Sequence, residues 1–253
     1  MSAQQEPTAP LRPRKKGSDR RRKLRRARKN FFVAFLIDLV VVLGAALVLS
    51  LLIKTFLIRS FFIPSGSMLE TLQIDDRIIV NQLTPALYPI ERGDVVVFKD
   101  PGGWLGPNVE EPTDPVVMAV DWFLSAFGIT APDSKQHLVK RVIGVAGDKV
   151  ICCDAAGLIT VNGVPITEPY IAPGQVPSSV EFDVTVPENS LWVMGDNRGN
   201  SEDSRFHGDL PSKGFVSNDW VVGRAFIISW PVENWKWLDN YPDVYKDVPN
   251  PSN

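Results

Sequence analysis

From Phe31 to Ile53 the chain is apolar at every position but Asp38 and Ser50. As a helix rising 1.5 Å per residue, such a run crosses a hydrocarbon core of about 30 Å. What precedes it is equally one-sided: residues 1–30 hold 12 Lys and Arg against only Glu6 and Asp19, a charge of +10 in a chain whose total is −2. The remainder therefore carries −12. A basic flank beside an apolar span fixes orientation, because positive residues stay on the cytoplasmic side. Residues 12–29 are accordingly expected inside the cell and everything after about residue 56 outside the cytoplasm. A basic run can also bind phosphate backbones, but its place against the span assigns it to topology, and no nucleic-acid partner is expected.

A cleaved secretory signal has a shorter apolar region that ends at small residues. Here the run continues into Lys54-Thr55-Phe56-Leu57-Ile58-Arg59, which offers no such site. The segment reads as an uncleaved anchor in the lipid bilayer of the plasma membrane. Asp38 would be costly facing lipid and is expected near the cytoplasmic interface or against a partner. The organisation that follows is a basic cytoplasmic tail (1–30), one transmembrane helix (31–56) and an extracytoplasmic domain (57–253).

That domain reads as mostly β. Short β-branched runs at residues 77–80, 94–98, 138–145, 149–153, 158–161, 191–194 and 221–229 are separated by turn-forming residues. Asn162-Gly163 marks a hairpin. Residues 115–131 break the pattern and suggest an interfacial or partly buried helix, being short for a second span. Trp230, Trp235, Trp237, Tyr241 and Tyr245 could pack on the β body or sit at a membrane interface. The two cysteines, Cys152 and Cys153, are adjacent. Neighbouring Cα atoms lie about 3.8 Å apart, below the usual disulfide range, so two thiols on opposite faces of a strand are expected. No C-x-x-C pair or histidine cluster supports a metal site.

The chemistry-bearing candidates fall in three segments. Phe61-Phe62-Ile63-Pro64-Ser65-Gly66-Ser67-Met68 places a turn-prone serine pair between apolar residues. A serine nucleophile needs a base, yet the chain has only His137 and His207 and no G-x-S-x-G elbow. In His137-Leu138-Val139-Lys140-Arg141-Val142-Ile143-Gly144, strand alternation turns one of two neighbouring cations inward. Arginine stays protonated, whereas a buried lysine loses its charge more readily, so Lys140 is the candidate base. Gly195-Asp196-Asn197-Arg198-Gly199-Asn200-Ser201-Glu202-Asp203-Ser204-Arg205 follows an apolar strand and suggests a structured polar network. Arg198 at the third position of the D-x-[DN]-x-[DN]-G pattern argues against a calcium loop.

Together these segments resemble the type I signal peptidases, membrane peptidases with a serine-lysine dyad that cut signal sequences from exported proteins. Residues 61–72 look like the family's nucleophile box, 92–98 resemble its R-G-D-[IV]-V-V-F strand, and 138–150 its lysine box. Residues 195–205 match G-D-N-R-x-x-S-x-D-S-R at every fixed position. The resemblance implies a signal-peptidase-like β catalytic domain. In it Ser67 would attack, Lys140 would serve as general base, Ser65 would help hold the oxyanion, and Ser201 would hydrogen-bond and orient Lys140. Asp203 and Arg205 would form a structural ion pair, supported by Arg141 and Asp196. Phe61, Ile63, Met68, Leu72 and Val139 would line pockets for small side chains, as in cleavage after Ala-x-Ala, although a plain core role fits each of them as well. The implied partners are preproteins emerging from a secretion translocon, with no cofactor.

Two departures stand out. Glu70 occupies the place of the family's usual proline, and an insertion at about 102–136 separates the strand box from the lysine box. Two rival readings share part of the pattern: a self-cleaving serine-lysine protease, which the anchor disfavours, and an anchored β binding module without catalysis.

Overall fold

The computed structural model describes residues 17–106, 116 and 136–251. Two compact units result, dividing between Leu51 and Leu52. The first is built on helix α1, Gly17–Phe56, as far as Leu51. It begins earlier than the apolar run because Lys and Arg are themselves good helix formers. Within it Phe31–Ile53 is long and apolar enough to cross a membrane, and none of that window is buried by protein. A helix that is apolar all round and unburied needs an apolar surrounding, which a bilayer supplies.

The second unit is mostly β, as its alternation of β-branched runs and turns predicts. Its larger sheet runs in the order β1 (Ile58–Phe62), β2 (Arg77–Asn81), β11 (Val221–Trp230), β3 (Val95–Lys99), β4 (His137–Gly144), β9 (Ser190–Met194) and β10 (Val216–Ser217), with β12 (Lys236–Trp237) also paired to β11. A smaller sheet orders β7 (Val164–Pro165), β6 (Thr160–Val161), β5 (Lys149–Cys152) and β8 (Phe182–Thr185). Asn162 and Gly163, both with positive φ, make the expected hairpin turn between β6 and β7. Among the described residues every strand pair is antiparallel. The core includes a cluster around Phe61, Leu72, Ile78 and Val97, and a second around Ile143, Ile159, Trp192 and Met194.

Three expectations are corrected or refined here. Cys152 and Cys153 are not separate thiols: a disulfide joins them across a cis peptide, with Cα atoms 3.0 Å apart. Joined in this way, the two side chains do not take the opposite faces that strand alternation implies. The aromatic C-terminal stretch divides, because Tyr245 is buried in the β body whereas Trp230, Trp235 and Trp237 are more than half exposed. The helix expected over 115–131 lies outside the described residues, apart from Val116.

Residues after β12 strap this unit together. Asp239 O accepts a hydrogen bond from Arg141 Nη1 at 3.1 Å, Tyr245 Oη meets Tyr170 Oη at 2.9 Å, and Pro249 O accepts from Arg92 Nη2 at 3.1 Å. The approach is so close at Gly93 that a Cβ there would stand 1.8 Å from Asn240 O, and Gly93 has φ +88. Only glycine meets both conditions, which gives a packing reason for the glycine in the R-G-D turn.

Candidate active site

Ser67 lies in a one-turn 3-10 segment, Gly66–Met68, just beyond β1, where Ser65 in extended conformation leads the chain into the turn. Lys140 lies mid-strand in β4, opposite Val96 of β3, with Arg141 opposite Val95. Strand alternation therefore sends the two cations to opposite faces. Arg141 turns to the polar network, and Lys140 Nζ comes within 2.8 Å of Ser67 Oγ.

The amine is nearly dry, with Lys140 only 3% exposed. Burial disfavours its charged form and lowers its pKa from 10.5 to about 8, although Asp203 and Asp196 pull in the opposite direction. At that value about a tenth of the amine is neutral at pH 7 and half of it at pH 8, able to take a proton from the hydroxyl it touches. Ser65 Oγ lies 3.5 Å from Ser67 Oγ on the exposed side of the turn.

A buried ionic frame holds these two elements in register. Arg141 grips Asp196 with Nε and Nη2 at 2.9 and 2.8 Å, while Nη1 donates to Gly93 O at 2.7 Å. The Tyr170 ring covers its guanidinium at 4.2 Å. Burial alone would lower the Arg141 pKa, but Asp196 outweighs it and raises the value, so this cation stays charged. Asp196 also accepts a short hydrogen bond from Thr71, four residues after Ser67. Asn197 completes the clamp, its N–H donating to Ser67 O at 3.1 Å and its Nδ2 to Gly66 O at 2.9 Å. Asp203 and Arg205 form the expected ion pair, both contacts at 2.8 Å, with Asp203 Oδ2 also accepting from Gly195 N.

Ser201 departs from expectation, because no hydrogen bond joins it to Lys140. Its Oγ is buried and has no partner among the described residues. The hydroxyl packs against Gly195, where an added Cβ would meet Ser201 Oγ at 2.2 Å and Ser67 O at 2.4 Å. Leu72 takes the core alternative: its N–H closes a turn onto Met68 O, and its side chain is fully buried in the cluster with Phe61, Ile63 and Met68 rather than in the lining of the cleft. Phe61, Ile63, Met68 and Val139 do line a cleft of about 130 Å3 that also contains Ser67 and Lys140. Glu70 is exposed, with φ +79, a conformation that proline cannot adopt.

Sequence reasoning missed several members. Glu168 pairs with Arg198 with both side chains 1% exposed, and Tyr170 donates its hydroxyl to the same carboxylate at 2.8 Å. Nothing local marks Glu168-Pro169-Tyr170 as buried, since its partners are distant in sequence. Thr71 and Asn197 did stand inside the recognisable segments, but their roles emerge only when the two loops meet. His207 is buried and stacked on Trp104 at 4.3 Å. His137 and Leu105 line the cleft beside the candidates named from sequence.

Comparison with known proteins agrees with this architecture. Residues 36–230 match the family model described as signal peptidase, peptidase S26. A probable signal peptidase I of Mycobacterium leprae is 38% identical over 209 residues, covering 72% of this chain and 71% of that protein. Signal peptidase I of Mycobacterium tuberculosis is 40% identical over 210 residues, covering 75% and 71%. A probable signal peptidase I-2 of Synechocystis is 36% identical over 188 residues, covering 74% and 70%. Agreement of this extent, along most of each chain, means that the protein belongs to the signal peptidases of the peptidase S26 family and is a serine endopeptidase that removes signal peptides.

Proposed function

We propose that Ser67 is the nucleophile and Lys140 the general base of this reaction, and the 2.8 Å contact between Oγ and a buried, partly neutral Nζ carries the reading. Ser67 Oγ attacks the scissile carbonyl carbon as Lys140 Nζ takes the hydroxyl proton. The tetrahedral oxyanion is held by the Ser67 N–H and the Ser65 hydroxyl, donors worth roughly 3 kcal/mol each. The C–N bond then breaks, Lys140 returns its proton to the leaving amine, and an ester to Ser67 remains. Water attacks this ester while Lys140 again accepts a proton. The free carboxyl end of the signal peptide departs and the Ser67 hydroxyl is restored.

Arg141, Asp196, Asp203 and Arg205 do not touch the reacting atoms in this scheme. They hold the serine turn against β4. The apolar walls formed by Phe61, Ile63, Met68 and Val139 favour small side chains before the cut, which fits signal peptides ending in Ala-x-Ala. The basic tail and apolar helix suit a single-pass plasma-membrane protein with a cytoplasmic N-terminus and a catalytic domain facing preproteins as they leave the translocon.

The test uses the full chain in detergent micelles with a preprotein carrying an Ala-x-Ala site. One cut, with the mature protein beginning immediately after the second alanine, is expected by N-terminal sequencing. Replacing that alanine with phenylalanine is expected to abolish the cut. Unchanged cleavage of the phenylalanine substrate would overturn the small-pocket assignment.

Gly195 provides a second test, because its bare backbone lies against both Ser67 O and Ser201. Gly195→Ala is expected to lower kcat about a hundredfold or more, the effect of displacing a reactive group by about 1 Å. Steady-state kinetics on the folded variant check this, and a kcat within threefold of wild type would show that the serine turn is not held there.

A further inference from the structure

Leu105 stands in none of the four segments that carry the family resemblance, yet it lines the cleft shared by Ser67 and Lys140. It belongs to the start of the insertion between β3 and β4, and its position is built. The Asp100 carboxylate gathers four successive backbone N–H groups, from Gly102 and Trp104 on Oδ1 (2.9 and 3.0 Å) and from Gly103 and Leu105 on Oδ2 (both 3.3 Å). Trp104 anchors the turn from below, 6% exposed, stacked on His207 at 4.3 Å and set edge-on to Phe98 at 5.7 Å. A side chain carried on so constrained a turn presents a fixed wall rather than a waving one.

Where that wall stands follows from register. Leu105 packs on the cluster containing Phe98 and Leu138, which face one another across β3 and β4. Leu138 is two residues along β4 from Lys140, about 7 Å at the rise of an extended strand. A substrate laid extended beside β4 and parallel to it, entering past Leu138 with its cut at Lys140, advances at the same rise, and the side chain two residues before the one at the cut then stands at this depth. That residue is position −3, counting back from the scissile bond.

We propose that Leu105 is a specificity-determining residue of the peptidase, setting the size of the side chain accepted at position −3. The proposal rests on the reading of Ser67 and Lys140 as the reactive pair, and it adds to that pocket a wall supplied by the insertion. Apolar pockets discriminate by roughly 10- to 200-fold per methylene group, so shortening one wall residue has a measurable effect.

Full-length wild type, Leu105→Ala and Leu105→Trp are compared in micelles on preproteins with alanine at −1 and alanine, valine, leucine or phenylalanine at −3. Leu105→Ala is expected to raise kcat/KM for leucine and phenylalanine at −3, relative to alanine, about tenfold. Leu105→Trp is expected to lower the value for valine relative to alanine. A parallel series varied at −1 is expected to keep the wild-type order in both variants. A uniform loss over all substrates, an unchanged −3 profile or a shift confined to −1 overturns the proposal. Failure of the underlying reading looks different, because wild type would then cleave none of the substrates or Ser67→Ala would cleave them as well.

Discussion

Ser67→Ala is expected to reduce preprotein cleavage by roughly 10^4- to 10^6-fold, as loss of a nucleophile does in other serine hydrolases, with the fold intact. The hydroxyl sits on a turn whose backbone is held from both sides by Asn197, so removing one oxygen leaves these bonds in place. Lys140→Ala is expected to match it, and the double variant to be no worse than either single one, because the two groups act as a unit. Lys140→Arg is the more pointed substitution. It keeps length and charge but offers no neutral nitrogen near physiological pH, so it is expected to be as inactive as alanine. Single-turnover assays at high enzyme concentration measure the residual rates, and circular dichroism with thermal unfolding confirms folding. Activity of Lys140→Arg within tenfold of wild type would remove lysine from the role of base.

The apolar helix, the β class and the proposed serine-lysine pair were legible because each has a local signature. An apolar run beside a basic flank, period-two alternation with turn residues, and two cations adjacent in one strand are visible without knowing what they contact. Strand β1, Ile58–Phe62, has no signature of its own, because its apolar residues continue directly from the helix with no turn residue between. Short strands such as β8, Phe182–Thr185, exist through pairing with β5 rather than through their own pattern. The ionic frame was half visible. Asp196, Asp203 and Arg205 share one dense segment, whereas Glu168 and Tyr170 gain their meaning only from Arg198 and Arg141, which long-range folding brings to them. Ser201 shows the opposite failure: a position correctly located beside the site, but without the hydrogen bond expected of it.

Burial of Lys140 makes the reaction sensitive to pH in a direction that can be worked out. Its folded-state pKa of about 8 lies below the ordinary 10.5, and the neutral amine is the active form. Below pH 8 kcat/KM is expected to rise about tenfold per pH unit and then level off above it. Arg141 keeps its charge over this range, its pKa being raised by Asp196, and His137, lowered by burial and by Arg59 and Lys99 to about 4, is already neutral. Neither supplies a competing limb. An acidic optimum, or a flat profile between pH 6 and 9, would refute lysine as base.

The same shift predicts a stability difference of opposite usefulness. Between pH 8 and 10.5 the unfolded chain binds a proton at this lysine that the folded chain does not, so stability rises with pH across that window. Below pH 8 both states are protonated and the folded state bears the whole cost of a buried ammonium, about 3 kcal/mol for a shift of this size. Lys140→Met keeps the apolar volume and removes the charge. The inactive variant is therefore expected to be more stable than wild type at pH 7 by up to about 3 kcal/mol, with the gap closing as pH approaches 10.5. Urea unfolding of the two proteins at pH 7 and pH 10 measures it. Equal stability at pH 7 would mean that the amine is solvated in solution, and the base would then need another means of shedding its proton.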